Sequence, residues 1–254
     1  MIFRVMVVDD EPLARLGITA RLQSHPDMTV VGECSTGEET IDSIPRLAPD
    51  LIFLDIQMPG ISGLEVLRSL SRDKTPCIIF LTAHENYAIE AFEVEALDYL
   101  LKPIDDARFA ASLDRARRVL TFRQQETPRA PLGAAPEQLP RGAAKRFVVR
   151  KGNDVTFVPI ADVDYFEGLG DYVGLHVAGK THLVRESLTS LEARLDRTQF
   201  LRIHRSTIIQ IDRIVRVEPV ANRDYLVTLR DRSSVRASRT YSKLLKDILQ
   251  NKSG

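Results

Sequence analysis

The chain has 254 residues, 44% hydrophobic and 28% charged, a length and balance that suit two compact globular domains and exclude a disordered chain. Its formal net charge is zero, yet residues 1–125 carry 13 Lys+Arg against 20 Asp+Glu while residues 126–254 carry 22 against 15, so an acidic half is joined to a basic half suited to a polyanionic partner. No stretch approaches the roughly 20 apolar residues that cross a bilayer, the apolar Val5–Val8 run is too short for a signal peptide, and Cys34 and Cys77 have neither disulfide nor metal spacing; the expected location is the cytoplasm.

Through residues 1–120, short apolar strands alternate with helical segments. The strands read Phe3–Val8, Thr29–Glu33, Leu51–Leu54, Cys77–Leu81 and Leu97–Leu100. They are continuous apolar runs, the mark of parallel strands covered on both faces. The first intervening segment has helical periodicity in Leu13, Leu16, Ile18 and Leu22. Five βα repeats predict a doubly wound α/β domain, in which ligands sit beyond the carboxyl ends of the strands.

Chemistry-bearing residues stand at those ends. Asp9 and Asp10 follow the first strand, Asp55 the third, Thr82 the fourth and Lys102 the fifth, just before Pro103. Three convergent carboxylates repel one another unless a cation lies among them, and a hard divalent ion such as Mg²⁺ suits oxygen donors. A hydroxyl and an ammonium beside a metal and a carboxylate suit a transferred phosphoryl group. Asp55 is then the nucleophile that forms an aspartyl phosphate, and Lys102 and Thr82 receive the phosphoryl oxygens.

Residues 123–144, with Pro128, Pro131, Gly133 and Pro136, read as a linker. Beyond it the pattern becomes strands and turns. Phe147–Lys151 and Val155–Val158 flank a hairpin turn, and Val163–Glu167, Tyr172–Val177 and His182–Val184 follow. A short helix over Ser187–Leu195, with Ser187 or Ser190 as N-cap, leads to Phe200–Ile203, Thr207–Ile209, Ile214–Val220, Tyr225–Leu229 and Ser234–Arg236. A second short helix, Arg239–Leu249, closes the chain. Basic residues gather at Arg146, Arg150 and Lys151, at Arg202, Arg205, Arg213 and Arg216, and from Arg230 to Lys246. His176, His182 and His204 lack ligand spacing, and no hydrolase, zinc-protease or phosphate-loop motif occurs, so no enzyme activity is expected of this half.

Val7-Val8-Asp9-Asp10-Glu11-Pro12, Leu54-Asp55-Ile56-Gln57-Met58-Pro59-Gly60, Leu81-Thr82-Ala83 and Asp98-Tyr99-Leu100-Leu101-Lys102-Pro103 resemble the receiver-domain signature of two-component response regulators. The resemblance implies a flavodoxin-like five-stranded receiver over residues 1–122, phosphorylated on Asp55 by a sensor histidine kinase. It also implies Mg²⁺ held by Asp10, Asp55 and the backbone carbonyl of Gln57, with Asp9 acting mainly through water. Tyr99 becomes the switch aromatic, turning inward as Thr82 moves toward the phosphate, and the surface around it can dimerise.

Phe200-Leu201-Arg202-Ile203-His204-Arg205-Ser206 resembles the F-x-R-I-H-R-S segment of the LytTR DNA-binding domain. Tyr165-Phe166-Glu167-Gly168-Leu169-Gly170-Asp171-Tyr172-Val173 and Val235-Arg236-Ala237-Ser238-Arg239-Thr240-Tyr241 resemble its other two marked segments, in order. This implies a mostly-β domain over residues 145–251 that inserts loops into the major grooves of double-stranded promoter DNA, as a homodimer. Asp171, Tyr172, Arg205 and Arg239 carry over as DNA-reaching residues. Lys151 and Lys243 join them as phosphate contacts on charge alone, and His204 and Ser206 brace the Arg205 loop. The expected function is a phosphorylation-regulated transcription factor. The competing readings are a receiver joined to an RNA- or protein-binding module, disfavoured by 6% aromatics and no tryptophan, and a receiver-regulated enzyme, disfavoured by the missing catalytic motif.

Overall fold

A computed structural model describes residues 1–70, 75–83, 96–125, 146–151, 154–220, 224–238, 241 and 245; of residues 150 and 151 it describes the backbone alone. The chain divides into two compact units, Met1–Thr121 and Phe122–Gly254.

The first unit is built on five parallel strands, β1 (Phe3–Val8), β2 (Met28–Cys34), β3 (Leu51–Asp55), β4 (Cys77–Thr82) and β5 (Asp98–Leu101), in the order β2-β1-β3-β4-β5. The continuous apolar runs have the expected cause. Every residue of β3 and β4 is buried, because helices α1 (Pro12–Leu22), α2 (Gly37–Leu47), α3 (Gly63–Ser69) and α4 (Asp106–Gln125) accompany the sheet. The winding reverses between β1 and β3, and this is where a crevice opens beyond the strand ends.

Local signals start the helices. Pro12 opens α1, Thr36 caps α2 through Glu39 N, and Ser62 and Glu65 cap α3 reciprocally. The helix expected from Leu13, Leu16, Ile18 and Leu22 forms, with one face turned to the core. Ile18 and Leu22 are buried, but Leu13 and Leu16 are exposed, because at 100° per residue they lie on the opposite side of the helix. The linker boundary also moves. Residues 123–125 continue α4, since Arg123, Gln124 and Gln125 are good helix formers, so a linker starts no earlier than 126. Residues 126–145 lie outside the described ones.

In the second unit, β8 (Tyr165–Leu169), β9 (Tyr172–Val177), β10 (Lys180–Val184), β11 (Phe200–His204) and β12 (Thr207–Gln210) form an antiparallel sheet in the order β10-β9-β8-β12-β11. A hairpin, β6 (Arg146–Lys151) with β7 (Asp154–Pro159), and helix α5 (Leu188–Glu192) cover one face. Val149, Val158, Phe166, Leu188 and Phe200 meet there. Strands β13 (Ile214–Pro219), β14 (Tyr225–Leu229) and β15 (Ser234–Ala237) cover the other face through Leu201, Ile203, Ile209, Val227 and Leu229. The period-two alternation of side chains explains both cores: Phe200 and Leu201, or Ile208 and Ile209, point to opposite faces of one sheet. The expected helix over Arg239–Leu249 lies outside the described residues apart from Tyr241 and Leu245, the latter buried in the second core.

Candidate functional site

Strands β1 and β3 are neighbours at the switch point, so Asp9 and Asp10, just past one, meet Asp55, the last residue of the other. Ligand atoms of all three carboxylates lie within 4.8 Å of one another. Asp9 is fully buried and Asp55 is 5% exposed, while Asp10 reaches solvent at the mouth. Lys102, directly after β5, places its ammonium 2.7 Å from Asp9 Oδ2 and 2.9 Å from Asp55 Oδ2. Thr82 ends β4, buried, and its carbonyl accepts from Lys102 N at 2.8 Å. The backbone N–H of Gln57 donates to Asp55 Oδ1 at 3.2 Å. The loop after Asp55 is tightly turned: Gly60 has φ of 76°, and a Cβ on Gly63 would lie 2.2 Å from the Asp55 carbonyl oxygen, so that position admits no side chain.

Burial pushes the Asp55 pKa up, and the neighbouring Asp9 charge adds to it, against the opposing hydrogen bond from Lys102. For Lys102 burial acts to lower the pKa, but its hydrogen bonds to Asp9 and Asp55 outweigh it, and the ammonium is held above its ordinary range. The pocket therefore needs positive charge and receives part of it from Lys102. Asp9 Oδ2 is fully buried, with the Lys102 ammonium 2.7 Å away as its charged neighbour. A buried carboxylate oxygen in that state, within an all-oxygen donor set, fits a hard divalent cation.

Tyr99 is half-buried and stacks on Phe80 with ring centroids 5.4 Å apart. Its neighbour Asp98 points the other way, into α4. There it meets Arg115 at 2.6 Å, Arg108 at 3.5 Å and the Ser112 hydroxyl. Asp98 is a buried charge that strand-end reasoning had no means to single out.

Two family models match the chain in succession, the response regulator receiver domain over residues 5–114 and the LytTr DNA-binding domain over residues 153–250. The transcriptional regulatory protein BtsR of Escherichia coli K12 is 38% identical over 97% of this chain and 98% of its own. The chain belongs to the response regulators that join a receiver to a LytTR domain. The sensory transduction protein LytT of Bacillus anthracis is 32% identical over 97% of this chain and 99% of its own. Among solved structures, the receiver of mrkE from Klebsiella pneumoniae is 33% identical over 46% of this chain and 98% of that one, with a TM-score of 0.44. The response regulator is thus a two-component transcriptional regulator, and none of its described helices is long and apolar enough to cross a membrane.

In its LytTR domain, Arg205 and Ser206 form the two-residue turn between β11 and β12. His204 Nδ1 lies 2.8 Å from Ser206 Oγ, and Gly168 N donates to the Ser206 carbonyl at 2.8 Å. Asp171 occupies the β8–β9 turn, 3.7 Å from the Arg123 guanidinium. Tyr172 departs from expectation. It is only 3% exposed, with Phe122 edge-on at 5.7 Å and Arg123 over its ring; these residues of the last turns of α4 fall in the second unit, and Tyr172 is buried there. Arg239 and Lys243 lie outside the described residues, and of Lys151 only the backbone is described. The basic residues are also less available than a count suggests. Arg146 lies over Phe157, Arg213 donates to the Ala161 carbonyl, Arg216 pairs with Glu218, Arg236 with Asp224 and Arg202 with Glu192.

Proposed function

We propose that Asp55 accepts a phosphoryl group from a sensor histidine kinase in the cytoplasm, and that this modification regulates sequence-specific binding of promoter DNA by the LytTR domain. The observation that carries the reading is the Lys102 ammonium between Asp9 and Asp55 at the switch point. Asp10, Asp55 and the Gln57 backbone carbonyl would hold Mg²⁺, with Asp9 acting mainly through water. The ion would supply charge neutralisation for an oxygen-rich phosphoryl group. Asp55 Oδ is the nucleophile. Lys102, already oriented, receives a phosphoryl oxygen in place of part of its present ion pair. Thr82 donates its hydroxyl to another, and Tyr99 turns inward as Thr82 shifts, biasing a two-state output surface that favours a homodimer. Nothing in this scheme turns over a substrate, so the role is regulatory rather than enzymatic.

On DNA, Arg205 and Arg239 are the proposed base-reading residues and Lys151 and Lys243 phosphate contacts. Asp171 reaches DNA from the β8–β9 turn, and Tyr172 joins it only on release from Phe122. The test is incorporation of phosphate from a kinase or a small phosphodonor with and without Mg²⁺, followed by gel shift on promoter fragments against matched RNA. Metal-dependent labelling that changes duplex binding supports the reading. Absence of labelling from every donor overturns the receiver half, and preference for the RNA overturns the DNA half.

A further inference from the structure

Arg202 stands among the basic residues that the charge pattern offers to DNA, but its surroundings give it other work. Its side chain is only 13% exposed, near the end of β11. One guanidinium nitrogen, Nη1, lies 2.6 Å from Glu192 Oε2 at the end of α5. The second, Nη2, donates to the Arg205 carbonyl at 2.5 Å, and Nε approaches the His204 carbonyl at 3.4 Å. The guanidinium carbon also lies 6.0 Å from the centre of the Tyr241 ring.

The pairing of β11 with β12 slips between Arg202 and His204, so the chain there leaves the regular ladder. An irregularity of this kind bends the strand and re-aims the residues after it. The fork of Arg202 meets the His204 and Arg205 carbonyls and ties them to a carboxylate on a helix that is itself capped by Ser187. From this geometry we infer that Arg202 and Glu192 form a positioning pair. They hold the backbone of the β11–β12 turn so that the Arg205 side chain is aimed at DNA, and Arg202 makes no phosphate contact of its own.

This rests on Arg205 reading a base edge, and it predicts behaviour opposite to that of a surface cation. Were Arg202 bound to a phosphate, Arg202→Ala would weaken every duplex alike and lower the slope of log K against log salt by about one. A positioning residue leaves the slope alone and lowers discrimination. Glu192→Gln separates the two further. Removing an acid from a basic domain raises affinity for all duplexes on electrostatics, whereas opening the clamp lowers it for the specific one.

The experiment uses the full chain and two duplexes of equal length, one carrying its mapped genomic binding site and one scrambled, titrated at several salt concentrations. Arg202→Ala and Glu192→Gln are each expected to lose about fivefold to tenfold on the specific duplex, less than Arg205→Ala loses. Arg202→Ala should leave the scrambled duplex and the salt slope unchanged, Glu192→Gln should bind the scrambled duplex no less tightly than the native chain does, and the double variant should be no worse on the specific duplex than Arg202→Ala. Arg202→Lys should not rescue, because an ammonium cannot bridge a carboxylate and two carbonyls in one plane. Should Arg202→Ala unfold, Glu192→Gln and Arg202→Lys carry the same comparison. Equal weakening on both duplexes with a shallower slope overturns the inference. So does an unchanged ratio in Glu192→Gln while Arg205→Ala still loses specificity. An inert Arg205→Ala sinks the reading beneath it.

Discussion

In the first unit the charged groups that matter come from the ends of three strands and meet at one site. In the second they are spread over turns between short strands, and many are taken up by partners in the same unit. The difference follows from strand direction. Parallel strands end on the same side of a sheet, so any residue just past a strand is delivered to the same crevice. Antiparallel strands put successive ends on opposite sides, and which turn faces a partner depends on how the sheets pack. Lys102 therefore reaches Asp9 and Asp55 at 2.7–2.9 Å from 47 and more residues away along the chain, while Arg202, Arg213 and Arg236 serve inside the unit.

The sharpest way to break this contrast is Asp55→Asn, which should abolish metal-dependent phosphorylation entirely, as should chelation of Mg²⁺ with the native chain. Label surviving at full level in the variant would move the acceptor elsewhere. Next comes Asp98, a buried carboxylate outside the pocket. Burial acts to raise its pKa, but the attraction of Arg115 and Arg108 and the Ser112 hydrogen bond prevail, and it is held below the ordinary carboxylate value. Asp98→Ala removes the carboxylate that Arg115 pairs with and leaves the buried Ser112 hydroxyl without its acceptor, and should cost the receiver about 1–3 kcal/mol in denaturant unfolding. Because the folded pKa is depressed, its contribution is present above about pH 4 and fades as pH falls through the folded value. Asp98→Asn should consequently flatten the acid side of the stability profile, and an unaltered profile would remove Asp98 from the account.

For the basic unit, Arg205→Ala and Arg239→Ala should each weaken specific binding by about 1–3 kcal/mol, read by footprinting and titration. Unchanged footprints in both would end their proposed roles and with them the loop-borne half of the contrast. The smallest effect is expected at Arg216, whose pair with Glu218 is mostly exposed. Arg216→Ala should change stability by less than about 1 kcal/mol. A larger effect would mean that the second unit also stores stability in surface charge.

How far the molecule could be read in advance follows the same division. The receiver strands were legible because burial on both faces writes an unbroken apolar run, as in Leu51–Leu54 and Cys77–Leu81. Leu13 and Leu16 helped to mark the helix but not its buried face, because short spacing alone does not say which of two helical faces meets the sheet. Ser187 declared the start of α5 through a local cap, a bond made within three residues. The Arg202–Glu192 pair left no such mark, since it joins a strand to a helix through side chains that look like ordinary surface charge.

By itself the amino-acid order determined the elements, the domain sequence and which acids, hydroxyl and lysine follow parallel strands, because hydrophobic period and strand-end position are local properties. Only the tertiary structure decided that Asp98 is buried between arginines, that Tyr172 is shut beneath Phe122 and that Arg202 turns inward to the Arg205 carbonyl. Those outcomes depend on which charges lose their water when elements pack, and desolvation is a property of the assembled fold rather than of any segment.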